Sequence, residues 1–165
     1  MEDRKQLLPE REYRAWDKAE VDERTRTMGL LLKFNTTGDR EILEEVFGRD
    51  LDGVTIFAPL HCNYGDSRVK FGNRVFINYN CTFQPAGGVE IGDGVFIGSD
   101  VRIYTTNHPL DPEERAKGKA TVRPVRIGSK VWIGGGAVIL HGLKIGEGTT
   151  IGAGSVVTRS IPARS

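Results

Sequence analysis

The chain is short of cysteine, of long apolar runs and of net charge, and each shortage excludes a class of protein. Two cysteines, Cys62 and Cys81, cannot build a disulfide framework; they read as buried free thiols in a reducing compartment. No stretch of 18 apolar residues occurs, so no segment reads as a membrane-spanning helix. The opening Met1-Glu2-Asp3-Arg4-Lys5 is charged and leads into no apolar signal segment, which makes a cytoplasmic location the expectation. Lys and Arg total 23 against 22 Asp and Glu, so the basic surplus that nucleic acid demands is missing. Glycine, in contrast, is abundant: 21 of 165 residues, against a usual share of about 7%. A chain of this length makes one domain.

Residues 1–50 hold 13 of the 22 acidic residues and only three glycines, Gly29, Gly38 and Gly48. The pattern there is helical. One helix is expected over Asp17–Phe34, with Asp17 and Glu20 in capping-box spacing and Val21, Met28, Leu31 and Leu32 as its apolar stripe. Asn35-Thr36-Thr37-Gly38 stops it. A second helix is expected over Asp39–Phe47, buried through Ile42, Leu43, Val46 and Phe47 and ended by Gly48. A shorter one is expected over Asp3–Leu8. Residues 1–50 therefore read as a helical cap, and residues 51–68 as a connecting segment.

From residue 69 the period becomes six. Aliphatic or aromatic residues recur at Phe71, Ile77 and Phe83, at Ile91, Ile97 and Ile103, and at Ile127, Ile133, Ile139, Ile145, Ile151 and Val157. Glycine follows many of them, as at Gly72, Gly92, Gly98, Gly128, Gly134, Gly146 and Gly152. A second row of small or aliphatic residues lies two positions earlier, from Val69 to Ser155. This is neither the helical nor the plain strand period. It describes a chain that turns after each short strand and stacks each coil on the last, a parallel β-helix over residues 69–160. Residues 161–165 form a short tail.

One interval breaks the repeat. Residues 104–124 carry three prolines and few apolar side chains, and read as a loop thrown out from the coil, with His108 at its base before Pro109. Long loops on rigid scaffolds commonly carry function.

Several stretches now match a known family. His61-Cys62-Asn63-Tyr64-Gly65, Asn78-Tyr79-Asn80-Cys81-Thr82-Phe83 and the run from Thr105 through His108-Pro109-Leu110-Asp111-Pro112 to Arg115 resemble its HCDYG, NFNC and THPLDPEER boxes. Val131-Trp132-Ile133-Gly134-Gly135-Gly136 and Ile151–Thr158 follow the same pattern. The chain resembles the maltose/galactoside O-acetyltransferases, hexapeptide-repeat enzymes with a left-handed β-helix. The resemblance implies acetyl-CoA as co-substrate, no metal, a small-molecule acceptor and a homotrimer with each site between adjacent subunits. His108 is then the general base that takes the proton of an acceptor hydroxyl, a task suited to imidazole near neutral pH. The backbone N–H of Gly135 is the oxyanion donor. Asn78 and Asn63 face the acceptor, and Trp132, Ala153, Thr158 and Arg159 line the CoA site.

The departures from the family pattern bear on the acceptor. Asn63 stands where Asp or Ser is usual, and Gln84-Pro85 replaces a Leu-Asp pair, removing a carboxylate. The family pattern also runs on beyond Ser160-Ile161-Pro162-Ala163 with basic residues that meet CoA phosphates, so fewer such contacts are expected here. Two other readings compete. A β-helical carbonic anhydrase would need three zinc-binding histidines, yet no two of His61, His108 and His141 are close in sequence. A redirected activity or a non-catalytic scaffold on the same β-helix fits the missing carboxylate but leaves the His108 loop unexplained.

Overall fold

Inward-pointing rows six residues apart close three narrow parallel sheets around one apolar column. The computed structural model describes residues 7–165. The first face holds Val54–Ile56, Val75–Ile77, Phe96–Ile97, Trp132–Ile133 and Thr150–Ile151. The second holds Leu60–Cys62, Cys81–Gln84, Arg102–Tyr104, Val138–Ile139 and Val156–Val157. The third holds Val69–Phe71, Val89–Ile91, Val125–Ile127 and Lys144–Ile145, continued by a bridge from Ile145 to Ile161.

Register explains the repeat. Ile56, Ile77, Ile97, Ile133 and Ile151 stack coil on coil down the first face. Cys62, Phe83, Ile103, Ile139 and Val157 do so down the second. All of these are buried. No coil covers its own apolar face, so each depends on its neighbours for stability. Gly98 shows why glycine is needed at a corner: a Cβ there would lie 2.6 Å from the nitrogen of Gly135 on the next coil.

The β-helix begins earlier than residue 69. Val54–Ile56 pairs in parallel with Val75–Ile77, and Leu60–Cys62 with Cys81–Phe83, so the expected connecting segment 51–68 supplies two strands of the first coil. The period hides there because the 3₁₀ turn Asp66–Arg68 sits between Cys62 and Phe71.

Ahead of the coils, α1 (Lys18–Thr37) and α2 (Arg40–Phe47) plug the end of the column. Each stops at a left-handed glycine, Gly38 and Gly48. α2 buries Leu43, Val46 and Phe47, and the Asp39 side chain accepts from the Glu41 N–H. α1 differs from expectation in three ways. It runs three residues further. It buries Thr27, Leu31 and Phe34, leaving Met28 and Leu32 exposed. It also has no capping box: Asp17 makes no side-chain cap bond, and Glu20 pairs instead with Arg68 at 3.0 Å. The short helix expected over Asp3–Leu8 lies mostly outside the described residues. Leu8 is not helical, and its N–H donates to the Gly142 carbonyl.

The excursion is an ordered unit rather than an open loop. Thr106–Asn107 and Ala120–Val122 pair antiparallel, and Arg11–Tyr13 adds a third strand against Ala120–Val122. Between them α3 (Pro112–Ala116) starts with proline in its first turn, and Asp111 accepts from the Glu113 and Glu114 N–H groups. Arg115 donates to the carbonyls of Pro109 and Leu110, closing the turn after His108.

A polar knot fastens this unit to the cap. The hydroxyls of Tyr13 and Tyr64 bond to each other, and Arg24 Nη1 donates to both, at 3.0 Å and 2.7 Å. Arg68 lies 4.5 Å over the Tyr64 ring, pairs with Glu20 and Glu23, and donates to the Ala86 carbonyl. Burial alone would push the Glu20 carboxyl up, but hydrogen bonds from Tyr64 and Arg68, together with the Arg68 charge, hold it below the ordinary range. A lowered folded pKa contributes stability that is present above the ordinary glutamate value of about 4.3 and is lost as pH falls through the folded value. Urea midpoints measured from pH 7 down to about pH 3 should therefore fall more steeply for the wild type than for Glu20→Gln. Parallel curves would show that this carboxylate adds nothing to acid sensitivity.

Candidate functional site

The β-helix sorts the candidate residues onto two edges of the second face. Asn78, Gly135 and Ala153 sit at the corner where the chain enters that face, on separate coils one above another. Asn63, Thr158 and Arg159 sit where the chain leaves it, and His108 follows the strand Arg102–Tyr104 on that exit side. The strands between span up to four residues, or about 13 Å. One chain thus stacks Gly135 beside Ala153 with Asn78 two coils away on the same corner, and sets His108 and Asn63 on the exit side, leaving the two groups at opposite ends of the face.

His108 is exposed, and its Nδ1 lies 3.2 Å from the Lys119 carbonyl. A carbonyl oxygen can only accept, so the ring proton of the neutral imidazole is on Nδ1 and the lone pair is on Nε2. Lys119 is itself tied to Glu114, which also bonds Lys117.

Gly135 occupies the second position of a tight turn. The Ala137 N–H donates back to the Gly134 carbonyl at 3.3 Å, and Gly136 takes φ 72° while Gly135 does not take a positive φ. That is a type II turn. Among the described residues the Gly135 N–H donates to no acceptor, and the residue is exposed. A free backbone donor at a rigid corner is suited to a developing oxyanion.

Around these points the surface is uneven in character. Phe76, Phe96 and Trp132 stand outward in one register row of the first face, with Phe57 edge-on to Phe76. Phe96 is 55% and Trp132 58% exposed. On the second face a groove of about 330 Å³ lies beside α1, lined by Met28, Leu32, Leu60, Asn63, Phe83 and Gln84. Asn63 Oδ1 is buried and has no hydrogen-bond partner among the described residues. Next to the groove Pro85 and Ala86 are buried, and the Ala86 carbonyl accepts from Arg11 and Arg68. His61 bonds Asn80 rather than another histidine, and among the described residues no three His, Cys, Asp or Glu side chains converge as metal ligands.

Residues 124–159 match the family model described as bacterial transferase hexapeptide (six repeats). The structure superposes on a maltose O-acetyltransferase from Clostridium difficile 630 with a TM-score of 0.88 and 39% identity, covering 94% of this chain and 86% of that one. A galactoside acetyltransferase in complex with coenzyme A gives 0.83 and 31%, covering 93% and 79%. A hexapeptide-repeat acetyltransferase from Vibrio cholerae, complexed with acetyl coenzyme A, gives 0.86 and 30%, covering 92% and 84%. The chain belongs to the maltose/galactoside O-acetyltransferase family. Its fold is accordingly the left-handed β-helix of hexapeptide-repeat proteins, with a helical cap and one extruded unit.

Two features of the surroundings of His108 carry no mark in the sequence. The Lys119 carbonyl that selects the His108 tautomer is backbone, so residue type says nothing about it. Tyr64 lies inside the matched HCNYG stretch, but its bond to Tyr13 joins positions 51 residues apart and becomes visible only once the β-helix and cap are assembled.

Proposed function

We propose that the protein is an acyltransferase that moves the acetyl group of acetyl-CoA to a hydroxyl of a small acceptor, with His108 as general base. The observation that carries this reading is the fixed imidazole: Nδ1–H is spent on Lys119, so Nε2 is the free basic atom on an exposed, ordered loop. Nε2 takes the acceptor proton as the hydroxyl oxygen attacks the thioester carbonyl. The Gly135 N–H stabilises the oxyanion of the tetrahedral intermediate. Collapse expels the CoA sulfur, which recovers the proton from the imidazolium.

The placement of the two groups favours a cyclic trimer, in which His108 of one subunit meets Gly135, Asn78 and Trp132 of the next. Leu110, two residues from His108, is 94% exposed, and the outward aromatic row is open on the other flank. A closed ring covers both without leaving a free copy of either surface. The same surfaces account for Ala153, Thr158 and Arg159 as CoA contacts on the rims of the intersubunit groove. The free, buried Cys62 and Cys81 suit the cytoplasm.

In this reading Asn63 and Asn78 meet the acceptor. Where an acceptor carboxylate would stand, Pro85 and Ala86 are packed away, and the neighbouring groove is largely apolar. The preferred acceptor is therefore less polar than a plain sugar. Acetyl-CoA turnover, followed as free thiol over a panel of sugars, alkyl and aryl glycosides, alcohols and amines, tests both points. Efficient transfer should occur to an acceptor with an apolar arm, while maltose, glucose and simple galactosides stay below about 10⁴ M⁻¹s⁻¹. A free sugar reaching that figure would overturn the acceptor assignment, and no thiol release with any acceptor would overturn the reaction.

A further inference from the structure

We infer that Tyr13 and Tyr64, clamped by Arg24, are positioning residues that set His108 through the strand Ala120–Val122 and the Lys119 carbonyl. The inference deepens the reading of His108 as base and rests on it. The sheet that presents His108 has only three strands, of three, two and three residues. A sheet that small does not hold its place alone. It contributes little apolar cover of its own: Tyr13, Ala120 and Val122 pack with Tyr64 and Ala86 in a cluster separate from the main column.

The path from the clamp to the imidazole is short and continuous. Tyr64 follows directly on the first coil and is fully buried, which makes it part of the rigid scaffold. Its hydroxyl bonds that of Tyr13, and Arg24 from α1 donates to both and to the Ala15 carbonyl. Tyr13 is the register partner of Ala120. The residue before Ala120 is Lys119, whose carbonyl takes the His108 Nδ1 proton at 3.2 Å. On the other side of the same strand Thr121 pairs with Asn107, the residue before His108. Both ends of the imidazole's support therefore hang from one strand, and the Tyr13 hydroxyl ties that strand to the β-helix and to α1. The two phenols make no contact with the reacting atoms, so their effect has to pass through this strand.

The test is Tyr13→Phe, which keeps the ring and deletes the hydroxyl. Turnover and KM for acetyl-CoA are measured in the wild-type and His108→Ala backgrounds, beside thermal unfolding and the ¹⁵N resonances of His108. The expected result is a kcat loss of roughly 10- to 100-fold, the scale of a small misplacement of a catalytic group. KM for acetyl-CoA should hold, the unfolding temperature should fall by only about a few degrees, the cost of one buried hydroxyl, and the His108 tautomer should shift from Nδ1–H toward Nε2–H. In the His108→Ala background the same substitution should cost nothing further, because the group it positions is gone. Tyr64→Phe, which leaves Arg68 stacked on the ring, should repeat the pattern and serves if Tyr13→Phe does not fold. A full-rate enzyme with the wild-type tautomer overturns the inference, and so does an equal loss in both backgrounds. If His108→Ala alone is fully active, the base assignment is what fails, and the ¹⁵N tautomer still reports whether the clamp sets the ring.

Discussion

Replacing His108 by alanine is expected to lower acetyl transfer by roughly 10²–10⁴-fold, the usual worth of a positioned general base. The loss should fall on kcat, with KM for acetyl-CoA little changed, if the imidazole acts as proposed on the acceptor proton rather than on the thioester. The fold should be untouched. His108 is exposed, and its single described bond is to a backbone carbonyl. The measurement is free-thiol release at saturating acceptor, with circular dichroism to confirm the β-helix. A variant that turns over at the wild-type rate removes His108 from the chemistry, whatever else the loop does.

The second large effect is expected from Gly135→Pro. Backbone donors escape ordinary mutagenesis, but proline deletes an N–H, and the second position of a type II turn is where proline fits best. Gly135 holds that position, and a Cβ added to it would lie 3.2 Å from the Ser99 carbonyl oxygen, a tight contact that a shift of a few tenths of an ångström relieves. The substitution should therefore fold and still lose roughly 10²–10³-fold in kcat, as expected when one oxyanion donor is removed. Retained activity would show that the Gly134–Gly136 corner is only a corner.

The two variants together test how the site is shared. If His108 of one subunit works with Gly135 of the next, every mixed trimer of His108→Ala and Gly135→Pro chains contains one site with both groups intact. Co-refolding equal amounts of the two nearly inactive proteins should then restore about a quarter of wild-type activity, the statistical yield for a closed ring of three. No recovery, with mixed oligomers confirmed by mass, would place both groups in the same chain and contradict the intersubunit site.

What could be read without the structure was what repeats or is local. The six-residue period from Phe71 to Val157 is set by side chains that must all point inward, so it names the β-helix directly. The stop at Gly48 and the Asp111-Pro112 cap of α3 depend on neighbours in sequence; the first read correctly and the second could have been read, while α1 ran past its expected end at Phe34 to Gly38. The first coil could not be read, because the Asp66–Arg68 turn interrupts the period between Cys62 and Phe71. The α1 stripe held at Leu31 and failed at Met28 and Leu32 for a different reason. Helical spacing shows that a face is apolar but not which side meets the core, and packing chose Thr27, Leu31 and Phe34 over Met28 and Leu32.

For the site, the residue types were legible and their company was not. His108 and Gly135 stood out because a matched pattern surrounds each of them. Their places at opposite ends of the second face follow from the coil corners, and no spacing along the chain reports that. The capping partner expected of Glu20 turned out to be Arg68, 48 residues away, because a charged pair with a guanidinium outbids a helix N-terminus already open to water. Strand Arg11–Tyr13 found its partner more than a hundred residues on, at Ala120–Val122. Contacts of that range carry no periodic signal: each is made once, between side chains and backbone that meet only after the coils have stacked. The sequence by itself determined the solenoid and the kind of chemistry its loop could hold. Only the tertiary structure decided which carbonyl the His108 ring bonds, which tyrosines bond to each other beside the strand that carries it, and that one chain alone leaves His108 and Gly135 apart.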